Sequence, residues 1–376
     1  MNVNRVRRTL SALRGRRVAI VAALFLISCL GSLALVRGAG ERLPDRLSDQ
    51  EFWKLVSDSS EPDGYFRSDN LLSNELGFPY VLPTLLKSAK QGGVYLGVGP
   101  EQNFNYIAAL KPKMVFIIDV RRGNLDLQMM YKALFELSDN RAEFVSRLFS
   151  KKRPQNLGTR STPQEIFGAY EGVEHDLSAY DENLKAIDDQ LTVKHHFGLS
   201  ADDLKGIEYV YKAFYTYGPE LRYSSTQGGY GGFRQPTYAD LMESADDHGD
   251  MRSYLSTEEN FSILKDLERK NLLVPVVGNF GGPKAIRAVG EYLKDHGATV
   301  SAFYLSNVEQ YLWRDGIWAH FCTNVAMLPL DETSTFIRAV RGGRYGAGYG
   351  QGFGLDLDLV PIAAEVKDCK AAGSRQ

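Results

Sequence analysis

Cysteine is scarce. The 376 residues hold three, Cys29, Cys322 and Cys369, and no two stand at C-x-x-C spacing. That excludes a disulfide framework and a structural zinc site, while a single Cys322–Cys369 pair stays open. The six histidines form neither H-E-x-x-H nor H-x-x-x-H. His195-His196 and the run Asp246-Asp247-His248-Gly249-Asp250 come nearest to a ligand set, and no metal site is expected. The G-x-S-x-G elbow of serine hydrolases and the G-x-x-x-x-G-K-[ST] phosphate loop are both missing. Basic charge is short as well. Seven of the 44 Lys and Arg fall in residues 1–40, which hold no acid, leaving the remainder at a net −9. A body of that sign lacks the basic face that nucleic-acid binding needs, so no nucleic-acid partner is expected.

What residues 1–40 do contain is a membrane signal. Arg5, Arg7, Arg8, Arg14, Arg16 and Arg17 precede an uncharged run from Val18 to Val36. Nineteen residues in a helix span roughly 28 Å, about the hydrocarbon thickness of a bilayer. Six arginines on one flank put the N-terminus in the cytoplasm and the body on the other side. An uncleaved anchor, cleavage after Ala34 behind the small residue Ser32, and lipidation of Cys29 in Leu26-Ile27-Ser28-Cys29 all stay open. In each case the partner is the membrane and the body is anchored or exported.

The body reads as alternating strands and helices. Gly93 to Leu96, Met114 to Ile118, Leu272 to Val277 and Val300 to Leu305 are continuous apolar runs of strand length. Leu127, Met130, Tyr131 and Leu134 follow the second run at i, i+3, i+4, i+7, the spacing of an amphipathic helix. Pro283 opens another helix, which Gly297 ends. Fully apolar strands separated by helices predict an α/β fold, a doubly wound, mostly parallel sheet covered on both faces. A long helical insertion, about residues 142–268, interrupts it and is expected to cap the catalytic edge. Residues 341–376 read as a tail, its first part rich in Gly, Tyr and Phe.

Ligands of such sheets bind outside the carboxyl ends of the strands. The first end reads Tyr95-Leu96-Gly97-Val98-Gly99-Pro100-Glu101-Gln102-Asn103, where two glycines permit a tight turn and close approach to a ligand. Asp119 ends the second strand, where a carboxylate can accept ribose hydroxyls. The third glycine of a dinucleotide fingerprint is missing, which argues against NAD. A purely structural turn is the competing reading. The third strand leads into Asn279-Phe280-Gly281-Gly282-Pro283, whose glycines read equally as an anion-binding nest or as a turn required only by chain geometry. Ser306, Asn307, Glu309 and Tyr311 form a polar cluster after the fourth. Asn279 and Tyr311 are the expected substrate-positioning residues.

Gly97-Val98-Gly99-Pro100-Glu101-Gln102-Asn103-Phe104, Asp119-Val120-Arg121-Arg122-Gly123-Asn124-Leu125, Asp69-Asn70-Leu71-Leu72-Ser73-Asn74-Glu75 and Tyr304-Leu305-Ser306-Asn307-Val308-Glu309-Gln310-Tyr311 together resemble an uncharacterised bacterial family with a methyltransferase-like Rossmann fold. The resemblance covers about residues 48–340. It implies S-adenosylmethionine as cofactor, its methionine part at the glycine turn and its ribose at the strand-end acid. The cofactor-binding residues would then be Gly97, Gly99, Glu101, Asn103 and Asp119, with the segment around Asp69 to Glu75 folded over the cofactor. Pro100 and Gln102 depart from the G-x-G-x-G of such enzymes. Two functions follow as expectations: a membrane-targeted methyltransferase-like protein, or a non-catalytic exported binding or scaffold protein on the same fold. They pull apart, because S-adenosylmethionine is a cytoplasmic metabolite and the arginines place the body outside.

Overall fold

A computed structural model describes residues 42–224, 235–340 and 356–373, with side chains to residue 367 in the last segment. The signal segment 1–40, including Cys29, and the Gly-aromatic stretch 342–354 lie outside the described residues. Among the described residues no helix is long and apolar enough to cross a membrane.

Six strands form one sheet: β1 (Val94–Gly97), β2 (Met114–Asp119), β3 (Leu273–Val277), β4 (Val300–Ser306), β5 (Leu330–Val340) and β6 (Asp356–Pro361). Their order is β3-β2-β1-β4-β5-β6. The first five run parallel, and β6 joins β5 antiparallel. Every residue of β1, β2 and β3 is buried, as expected of apolar strands covered on both faces. Strand β6 corrects the reading of its segment as tail. Asp356-Leu357-Asp358-Leu359 alternates with period two, and Leu357 and Leu359 are buried while Asp356 and Asp358 are half-buried. Only a polar-faced edge strand alternates this way, which an apolar-run criterion overlooks.

Fourteen α-helices are described. They are α1 (Asp49–Ser59), α2 (Phe78–Ser88), α3 (Gln102–Leu110), α4 (Arg122–Leu137), α5 (Arg141–Phe149), α6 (Pro163–Tyr170), α7 (Leu177–Asp188), α8 (Ala201–Tyr217), α9 (Tyr238–Glu243), α10 (Glu258–Arg269), α11 (Ala285–Asp295), α12 (Val308–Arg314), α13 (Trp318–Val325) and α14 (Ile362–Gly373). Local sequence starts several of them. Ser48, Thr162, Ser200 and Thr237 each form a capping box with an acid three residues on, satisfying N–H groups that would otherwise lack partners. Gly297 has φ +58°, so the predicted end of α11 holds.

Among the described residues the insertion packs mainly beside the sheet, and its Tyr223 also lines a crevice at the carboxyl edge. Its helices α5 and α8 pack on α4, and α10 packs on both α3 and α4. An aromatic cluster cements that extra layer, with Phe104 meeting Tyr131 at 5.1 Å and Tyr254 at 5.3 Å, and Phe135 meeting Phe144 at 4.7 Å between ring centres. The Tyr-rich composition of the insertion thus serves a lateral core. The edge is also crossed by a strap, residues 60–76, that precedes the first strand.

Candidate functional site

The strap visits the strand ends in spatial order. The Glu61 N–H donates to the Val277 carbonyl at 2.7 Å, and the Val277 N–H to Ser60 Oγ at 3.0 Å, beyond β3. The Gly64 N–H donates to the Val120 carbonyl at 2.8 Å, beyond β2. A Cβ on Gly64 would stand 2.4 Å from Val120 Cγ2, so only glycine lets the strap lie this close. Farther along, the Ser73 N–H donates to both Glu101 carboxylate oxygens, at 3.1 and 3.2 Å. The Glu75 carboxylate then accepts from Tyr304 Oη at 2.8 Å and Ser306 Oγ at 2.5 Å, at the end of β4.

Beneath the strap, at the carboxyl edge of the sheet, is a crevice. Strand β1 has β2 on one side and β4 on the other, so the crevice sits where the strand order reverses. Gly99, Asp119, Asn279 and Tyr311 all line it, together with Phe66, Asn70, Tyr223 and Ser306. All four were read from the sequence as lying at or just after strand ends, and the structure brings them to one crevice. Strand register explains it: Gly97 pairs with Ile117 and Asp119 with Val277, which levels the three strand ends.

Gly97, Glu101 and Asn103 are not among the crevice-lining residues. Asn103 is fully buried and braces the turn from behind. Its Nδ2 donates to the carbonyls of Val98, Gly99 and Pro100 at 2.9, 3.3 and 2.7 Å, and its Oδ1 accepts from Tyr95 Oη at 3.0 Å. Gly97 is glycine because of that brace, since a Cβ there would stand 1.8 Å from Asn103 Oδ1. Glu101 is equally buried and spends its carboxylate on Ser73. Burial pushes its pKa up to about 8, against the Ser73 N–H that favours the charged form. Gly99 differs: its φ is +77°, and nothing stands within 4 Å of where a Cβ would be. Only Gly99 of the two glycines presents an open backbone to the crevice.

Asp119 is not a free carboxylate. Arg121 Nε reaches Asp119 Oδ1 and Nη2 reaches Oδ2, both at 3.0 Å, and the Arg121 N–H adds a third bond to Oδ1 at 2.9 Å. The guanidinium also donates to the Asp69 carbonyl of the strap. Of about four acceptor positions on a carboxylate, one stays available to a ligand hydroxyl. Arg121, which could otherwise clamp an anionic ligand, is neutralised within the protein.

The predicted anion nest before α11 is filled in the same way. Glu61 Oε1 accepts from the Lys284 and Ala285 N–H groups at 2.8 and 2.9 Å, and Oε2 from that of Asn279 at 3.1 Å. Asn279 Oδ1 accepts from the Gly281 N–H at 2.9 Å, leaving its amide N–H groups toward the crevice it lines. Tyr311 packs edge-on against Phe66 at 5.1 Å, with the Arg314 guanidinium 4.9 Å from its ring. Asn70 stands at φ +45°, and its Oδ1 is buried without a hydrogen-bond partner. That atom is the signal sequence reasoning did not resolve, because an unsatisfied buried acceptor is visible only in three dimensions.

No group of three or more His, Cys, Asp or Glu able to hold a metal occurs among the described residues. Cys322 is disulfide-bonded. A family model described as a domain of unknown function (DUF7790) matches residues 71–357, and the chain belongs to that family. No curated protein matches the chain.

Proposed function

We propose that the crevice binds a nucleoside-bearing ligand, S-adenosylmethionine or a related nucleoside, and that the protein is a membrane-targeted, methyltransferase-like enzyme on a Rossmann-like sheet. The observation that carries this reading is the convergence of Gly99, Asp119 and Asn279 on one crevice at the reversal point of a 3-2-1-4-5-6 sheet. The residues present suit the nucleoside part. Asp119 retains an acceptor position for a hydroxyl, Asn70 Oδ1 is an unsatisfied buried acceptor, and the Gly99 backbone is open to close approach. When bound, S-adenosylmethionine would supply an electrophilic methyl group on a sulfonium. The chain itself would hold and orient: Asn279 through its amide, Tyr311 and Phe66 through their rings, with the strap keeping water from the crevice. Glu101, Asn103 and Gly97 act one layer back by fixing the turn.

A second reading, an exported binding or scaffold protein with the same fold, is favoured by the disulfide at Cys322. Disulfides persist in oxidising compartments, where the amino-terminal arginines also direct the body and where S-adenosylmethionine is not made. One experiment separates the two. A C-terminal reporter reads the compartment, and titration of purified protein with S-adenosylhomocysteine reads the crevice. Saturable binding with a cytoplasmic reporter supports the enzyme. No binding with a periplasmic reporter overturns it in favour of the exported protein.

A further inference from the structure

Ser306 is the last residue of β4, and it adopts φ +48°, a left-handed conformation that serine seldom takes outside constrained turns. The chain passes through Asn307 directly into α12, making a sharp strand-to-helix turn. Ser306 lines the crevice, and its Oγ donates to Glu75 Oε1 at 2.5 Å, the short range of a charge-assisted bond. Glu75 is buried on the strap, and its other oxygen accepts from Tyr304 Oη. The groups that face it are Ser306 and Tyr304 from β4, Tyr95 from β1, and Glu101 and Tyr106 beside and within α3. None of these is a cation. A carboxylate held by two hydroxyls alone, with no positive partner, pulls strongly on their protons.

We propose that Ser306, which faces the crevice, and Glu75, buried behind it, form a nucleophile–base pair competent for acyl transfer from an uncharged carboxylic ester. This goes beyond nucleoside binding and does not depend on it. In the first half-reaction Ser306 Oγ bonds to the ester carbonyl carbon while its proton passes to Glu75. The carbon–alkoxy bond then breaks, and the departing alcohol takes the proton back from Glu75. Water, deprotonated by Glu75, releases the acid and restores Ser306. Asn74, Asn307 and Tyr311, whose side chains carry hydrogen-bond donors, line the same crevice and are the candidates to receive the charge that develops on the carbonyl oxygen. The ester must be uncharged because the crevice arginines are already paired, Arg121 with Asp119 and Arg314 with Asp315.

The test is covalent labelling of the full-length chain with diisopropyl fluorophosphate. Here Oγ bonds to phosphorus, fluoride leaves with its electron pair, and the Ser306 proton passes to Glu75. One adduct is expected, mapped to Ser306 by peptide mass spectrometry and absent from Ser306→Ala. Glu75→Gln keeps the shape and removes a buried charge, so it should fold, and it should slow labelling by roughly a hundredfold or more. Glu75→Asp retains the charge but not the reach, and should fall between the two. Because burial raises the Glu75 pKa, wild-type labelling should quicken as pH rises through that pKa, a dependence Glu75→Gln loses. No adduct at Ser306 in folded wild type, or equal labelling of Glu75→Gln, overturns the proposal. Neither result bears on nucleoside binding.

Discussion

At the scale of single residues, the glycine turn shows how one motif divides its labour. Gly97→Ala inserts a Cβ 1.8 Å from Asn103 Oδ1 and 2.9 Å from the Tyr95 ring, so the brace must move. Overpacking of this kind costs about 1–3 kcal/mol. Gly99→Ala meets no atom, and its cost is the left-handed backbone alone, about 1–2 kcal/mol. Urea denaturation should find both variants less stable. Only Gly99→Ala should alter ligand binding by direct contact. Asp119→Ala is a harsher change than a strand-end acid at a crevice implies, because it strands the buried Arg121 guanidinium. Breaking a buried pair on one side costs about 3–5 kcal/mol, and Asp119→Ala/Arg121→Met should recover much of it. A double variant no more stable than Asp119→Ala would refute that account. The sequence carried the location of these residues but not their partners. The spacing from Gly97 to Asp119 follows from one βα unit and is legible. That Arg121 folds back on Asp119, or that Asn103 faces the turn's carbonyls, depends on side-chain direction, which spacing does not encode.

Elements were legible where their period was simple. The buried strands β1, β2 and β3, with their apolar runs, and the Gly297-terminated α11 stand where patterning puts them. Strand β6 was missed because its two aspartates interrupt the apolar run. The strap has no period at all, so only its part around Asp69 to Glu75 was read, through the family resemblance, as a segment folded over the ligand. Its course depends on paired hydrogen bonds to four strand ends, set by residues far away in sequence. Glu61 illustrates this. Its carboxylate satisfies the Asn279, Lys284 and Ala285 N–H groups, acting as a cap for α11 supplied by another element. Glu61→Ala should therefore cost about 1–2 kcal/mol and also loosen the strap. Hydrogen exchange should show the Lys284 and Ala285 amides losing protection. Unchanged protection at both would mean that the cap is not what holds them.

For the whole molecule, buried acids set an unusual pH dependence. Burial raises Glu101, Asp126 and Glu268 to about 8, with Asp203 adding repulsion at Asp126. Each is protonated in the folded state over a range where the unfolded chain is ionised, so the folded protein binds more protons. Stability then falls as pH rises from about 4.5 to about 8. Glu136 works in the opposite sense. Despite burial, His195 and Lys132 hold it near 2, so its contribution is present above the ordinary carboxylate range and is lost in acid. Thermal melts should peak near about pH 5 and decline toward alkaline pH. Glu101→Gln, which keeps an acceptor for the Ser73 N–H, should flatten the alkaline decline. A wild-type Tm that rises from pH 5 to 8 would contradict this.

The central claim is that the crevice under the strap is a nucleoside site, and calorimetric titration of the full-length protein with S-adenosylhomocysteine tests it most directly. The expected result is saturable heat from wild type, weakened in Asn279→Ala while the thermal melts of the two proteins stay close. No heat at millimolar ligand from a wild type that melts cooperatively would contradict it.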